Sequence, residues 1–163
     1  YEFWAAYVTG IALVGWGAFH RWEFLSIRVP QPRDILVSLT ALATLAAMLI
    51  PPGLGSGFLQ WNPSPPSVLH GASLFGTLAL TVALPEELFF RGFILAAMIK
   101  SVGIIPGITV ASLIFAISHG EVAIIVPVFA SGVILSLLYI KTGSLWPPLA
   151  AHSTQNYLAF ALI

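Results

Sequence analysis

The chain has 163 residues, of which 58% are hydrophobic and only 7% charged, with a mean hydropathy of +0.97. A soluble domain carries roughly a quarter charged residues, so the composition is that of an all-α, polytopic membrane protein whose first partner is the lipid bilayer. Six basic and six acidic residues cancel to a formal charge of zero, which leaves no basic field for nucleic acid and excludes it as a partner. The absence of Cys excludes a disulfide framework, a thiolate metal site and a cysteine nucleophile.

A spanning helix needs about 20 largely apolar residues to cross a hydrocarbon core of roughly 30 Å. Residues 3–19 are the first expected span, closed by His20, Arg21 and Glu23. This run is too long and wrongly flanked for a cleaved signal peptide, and a chain beginning at Tyr1 reads as trimmed or processed at its ends. Residues 21–34 form a connection with an interfacial Trp22, and 35–50 a second span. The stretch 51–67, P-P-G-L-G-S-G-F-L-Q-W-N-P-S-P-P-S, is dense in helix breakers and free of charge, and is expected as a loop at the interface.

Residues 68–99 follow as one apolar segment interrupted by Pro85. At ~1.5 Å per residue it would be ~48 Å long, so it is either a tilted, kinked helix or a span followed by a second helix starting near Pro85. The last spans are expected at 104–118, 122–140 and 145–163, separated by S-V-G, H-G-E and K-T-G-S. The expectation is one integral membrane domain over 1–163 with about six to seven helices, no internal repeat, and none of the alternation of a β-barrel. With the N-terminus extracytoplasmic, Arg21, Arg28, Arg33, Lys100 and Lys141 all fall on the cytoplasmic side. Arg91 alone is left inside the membrane.

An ionisable group within a span costs at least ~2.5 to 3.5 kcal/mol on insertion scales and usually marks function. From residue 35 to Pro85 there is no Asp, Glu, Lys or Arg; then Glu86, Glu87 and Arg91 arrive together. By helical rise, Glu86 lies ~21 Å above Lys100, His152 ~16 Å above Lys141 and His119 ~20 Å above Pro106. Three helices thus carry polar residues at a similar depth. Glu87 and Arg91 are four apart, the order that favours an ion pair, which leaves Glu86, about 100° around the helix, to point elsewhere. His152 and Asn156 share a face one turn apart, as do Phe115 and His119. A carboxylate, two imidazoles and a carboxamide converging in a dry cavity are the parts of water-mediated peptide hydrolysis: a base, a partner for the water, and donors for an oxyanion.

At these residues the chain resembles the CAAX prenyl protease and bacteriocin-processing (CPBP) family of intramembrane endopeptidases. Its three signatures, E-E-x-x-x-R, F-x-x-x-H and H-x-x-x-N, are present in order as E-E-L-F-F-R at 86–91, F-A-I-S-H at 115–119 and H-S-T-Q-N at 152–156. The resemblance covers 85–156; residues 1–84 match only in being membrane-spanning, and a further helix common in the family is expected to be missing after Asn156. The resemblance implies Glu86 as general base on a water held jointly with His119. It implies His152 and Asn156 as oxyanion donors, Arg91 as an electrostatic anchor for the glutamates, and Glu87 and Phe115 in support. Substrates in the family are membrane-associated, either prenylated or carrying sorting-type signals. One Glu and two His could also supply three zinc ligands. A metal-free mechanism with no cofactor is the expectation, because H-E-x-x-H is absent and Asn suits hydrogen bonding better than zinc.

Each residue also has an ordinary explanation. Glu and Arg can lock helices together, and membrane histidines can be interhelical donors. His20 and His70 read as interfacial, Glu121 as a solvated end charge, and Trp22, Trp61 and Trp146 as an aromatic belt. A serine protease built on G-A-S-L at 71–74 would leave Glu86 and Arg91 without a task, and a proton-coupled carrier would need the inverted repeats that are missing. The alternative within the family is a non-catalytic immunity or scaffold protein.

Overall fold

A backbone in lipid must satisfy its own N–H and C=O groups, and helices joined by short turns account for nearly all of residues 28–29, 31–56 and 68–161, which the computed structural model describes. The expected span at 3–19, His20, Trp22 and Trp61 lie outside the described residues, as does the side chain of His70.

Helix α1 (Pro32–Ser56) opens with Pro at its first position and Asp34 in its first turn, both start signals. Asp34 Oδ2 accepts the backbone N–H of Gln31 at 2.7 Å. The helix runs through Pro51 and Pro52 to Ser56, which corrects the expectation that a loop begins at 51. Proline's φ of about −65° is itself helical, and membrane helices tolerate proline where neighbouring groups take up the freed carbonyls.

The segment 68–102 is one uninterrupted helix with changes of pitch: α2 (Val68–Leu78), a π turn (Ala79–Ala83), α3 (Leu84–Glu87), a π segment (Leu88–Leu95) and α4 (Ala96–Val102). Of the two forms expected, the single irregular helix is the one observed. Pro85 cannot donate to Thr81 and its ring presses on that carbonyl. The π turn just before it, in which Leu84 N–H reaches back to Ala79 O, loosens the ladder where the ring would otherwise clash.

The remaining helices are α5 (Ile104–Ile117), α6 (Ile125–Thr142) after a 3₁₀ turn (Val122–Ile124), and α7 (Trp146–Ala161). Gly143, at φ 59°, ends α6 in the left-handed conformation and returns its N–H to Tyr139 O at 2.8 Å. Counting 68–102 once, the described residues hold five helices, fewer than the six to seven expected. Among the described residues one stretch, Val122–Thr142, is by itself long and apolar enough to cross a membrane; Ile104–Ile117 is apolar but shorter.

Between lipid-embedded helices, close packing replaces water exclusion as the source of association. Helix α6 packs on α1, α5 and α7, and α7 packs on α1 and on the π turn. Leu45, Leu135, Leu138 and Ala151 form one core, and Leu95, Ile108 and Ala111 another. Gly132 allows α5 to approach α6: a Cβ there would stand 3.0 Å from Ser112 Cβ and 3.1 Å from Phe115 Cδ1. Many outward side chains are apolar, as Val122, Ile105 and Val126 show at 86%, 79% and 76% exposure.

The charged ends are ordered too. Arg28 Nη2 bonds Asp34 Oδ2 at 3.2 Å and also the Thr142 carbonyl, while Ser144 Oγ bonds the Arg28 carbonyl. Ile99 and Tyr139 pack against the same Leu95, Ile108 and Ala111 core. Arg28, Arg33, Lys100 and Lys141 therefore gather at one end of the bundle, and the His119–Glu121 turn sits at the far end of α5.

Candidate active site

Glu86 and Glu87 lie on the four-residue α turn between two π segments. Each π stretch re-phases the side chains that follow it, a device frequent at functional sites. Both carboxylates are buried, at 9% and 0% exposure. The ion pair expected from the four-residue spacing is present: Arg91 Nη1 donates to Glu87 Oε1 at 2.8 Å.

Helix α7 completes the cluster. His152, 3% exposed, brings Nδ1 to 2.8 Å from that same Glu87 Oε1, and Nε2 to 3.5 Å from Glu86 Oε2. One imidazole thus stands between the two glutamates, with a different nitrogen toward each. Helical depth counting placed His152 near this level, but no spacing rule announced the bridge, because it joins residues 65 apart in sequence.

Phe115 is the aromatic centre of the site. The Arg91 guanidinium carbon lies 4.5 Å from its ring centroid. Phe90, His119 and His152 meet the ring edge-on, with centroids at 4.9, 4.8 and 5.8 Å. His119, half-buried at the end of α5, places Nδ1 2.8 Å from Phe115 O. A carbonyl only accepts, so Nδ1 carries the hydrogen and Nε2 of the neutral ring is a base. Asn156 is half-buried on α7, one turn beyond His152.

Sequence reasoning passed over two contacts that frame this arrangement. Gln155 Nε2 donates to Ser131 Oγ at 2.9 Å, tying α7 to α6, and Ser112, buried on the Phe115 face of α5, has no hydrogen-bond partner among the described residues. Ser73 and Glu121 are both exposed, which leaves the serine-protease reading without a buried nucleophile. A cleft of about 400 Å³ opens elsewhere, between α1 and α7, lined by Ile35, Leu39, Trp146 and Ala150 among others. Its lining includes Thr154, a variable position of the third motif, but none of the motifs' fixed residues.

Among the described residues no three His, Cys, Asp or Glu side chains are grouped as a metal requires. Glu87 Oε1, already shared by Arg91 and His152, is committed to hydrogen bonds.

Residues 66–158, more than half of the chain and all three motifs, match the family described as type II CAAX prenyl endopeptidase Rce1-like. The chain belongs to that family. Outside the family model, this Rce1-like chain is similar to the membrane-embedded CAAX protease MroQ of Staphylococcus aureus (strain USA300), 38% identical over 77 residues. That match covers 44% of the Rce1-like chain and 31% of the relative, so it spans less than a third of the relative's length. No solved structure matches.

Proposed function

We propose that the chain is a multi-pass endopeptidase of the cell membrane that hydrolyses a peptide bond in a membrane-anchored substrate, prenylated or carrying a sorting-type signal. Water is the nucleophile and Glu86 the base that takes its proton. The observation that supports this most is the seating of one buried imidazole between two buried carboxylates at the motif positions of a peptidase family.

In the proposed reaction a water lies between Glu86 and His119 Nε2, Glu86 removes a proton, and the hydroxide attacks the scissile carbonyl. Asn156 donates to the developing oxyanion, and His152 joins it once Nε2 has received a proton. Arg91 and Glu87 hold the cluster in place. No metal takes part. The clustering of Arg28, Arg33, Lys100 and Lys141 at one end supports an orientation with that end in the cytoplasm.

The purified full chain in proteoliposomes should cleave a lipid-anchored peptide and retain that activity after exhaustive chelation, with no zinc found by elemental analysis. Activity that disappears on chelation and returns with zinc would refute the metal-free mechanism.

A further inference from the structure

We infer, on the basis of the endopeptidase function proposed above, that Glu87 is a positioning residue that fixes the tautomer of His152, and that His152 carries the proton from Glu86 to the leaving amine. Three observations lead here. Glu87 Oε1 is fully buried and bound by Arg91 Nη1 at 2.8 Å, so it is an ion-paired acceptor. The same oxygen receives His152 Nδ1 at 2.8 Å, which places the ring hydrogen on Nδ1. The opposite nitrogen, Nε2, is thereby a lone pair aimed at Glu86, 3.5 Å from Oε2.

A buried carboxylate behind one imidazole nitrogen, with the other nitrogen facing the reacting groups, holds the ring in one tautomer and stabilises the imidazolium when it forms. The steps balance as follows. Glu86 takes a proton from water as the hydroxide oxygen bonds to the scissile carbonyl carbon, whose π electrons become the oxyanion. Glu86 passes that proton to His152 Nε2, and the imidazolium is held at Nδ1–H by Glu87. Nε2–H then protonates the scissile nitrogen as the C–N bond breaks and the carbonyl re-forms. The products are a carboxylic acid and an amine; Glu86 returns as carboxylate and His152 as the neutral Nδ1–H tautomer. The separation of 3.5 Å is long for direct transfer, as catalytic contacts commonly are before substrate closes the site.

This role differs from a purely structural one in its dependence on the leaving group. An amide nitrogen must be protonated to leave, whereas an ester's alkoxide leaves far more readily without it. The test compares a membrane-anchored peptide with its analogue bearing an ester at the scissile bond. Glu87→Gln, and the charge-balanced pair Glu87→Gln with Arg91→Met, should lower kcat on the peptide by about 10²- to 10⁴-fold, the usual span of acid–base catalysis. KM should be preserved and the ester should be cleaved at close to the normal rate. Equal losses on both substrates would overturn the proposal. Glu86→Gln should abolish both cleavages; if it does not, the endopeptidase mechanism itself fails, a different outcome from failure of the relay. Imidazole ¹⁵N spectra of the unaltered chain in micelles give a check independent of any variant. His152 should show a protonated Nδ1 and a bare Nε2, and the reverse would refute the inference.

Discussion

Two polar clusters sit in this apolar bundle, and they differ in what they satisfy. At the basic end, Arg28, Asp34, Thr142 and Ser144 serve helix ends: Asp34 accepts the Gln31 N–H before α1, Arg28 binds the last carbonyl of α6, and Ser144 bonds the Arg28 carbonyl. Helix termini always leave such groups to be paired, so this cluster answers a structural need. At the other, Arg91 and His152 both bond Glu87 through side chains, with no backbone group in that network among the described residues. Glu87 Oε2, Arg91 Nε and Arg91 Nη2 find no hydrogen-bond partner among the described residues. Replacing such an ionic group by well-packed apolar residues is often neutral or stabilising. The comparison supports the proposal that the second cluster serves chemistry rather than a helix end.

Selective damage separates the two. Arg91→Ala should be the most severe change, because it strands the Glu87 carboxylate: about 3 to 5 kcal/mol of stability, measured by thermal or denaturant unfolding in detergent. Arg91→Met with Glu87→Gln should recover most of that stability while activity stays low. Gly132→Ala pushes a Cβ against Ser112 and Phe115, with an expected loss of about 1 to 3 kcal/mol from overpacking and reduced cleavage as Phe115 shifts beneath both histidines.

Asp34→Ala should cost about 0.5 to 2 kcal/mol, as for a lost helix cap, yet leave turnover per folded molecule unchanged, which is the signature of the structural cluster. Smallest of all, Ser73→Ala on the exposed face of α2 should stay within about 0.5 kcal/mol of the unaltered chain and cleave normally. Loss of activity there would revive a serine nucleophile.

How much of this was legible in the sequence follows from how local each feature is. The Glu87–Arg91 pair was readable because four residues make one turn, and the three helices after Gly103 because apolar runs and short breaks delimit them. The passage of α1 through Pro51 and Pro52 was not, since the propensities that make proline a breaker refer to helices in water. The π stretches around Pro85 were equally hidden: counting by 3.6 presumes an unbroken α ladder. The placement of His152 between both glutamates depends on how α7 packs against the π turn, which neither segment encodes alone.

The most direct measurement is cleavage of a lipid-anchored peptide by the full chain in proteoliposomes, comparing Glu86→Gln with the unaltered protein at matched folded concentration. Glu86→Gln should retain the unfolding midpoint to within a few degrees and lose at least about a hundredfold in kcat, the lower end of what a general base contributes. A correctly folded Glu86→Gln that cleaves at the unaltered rate would contradict the assignment of Glu86 as the base.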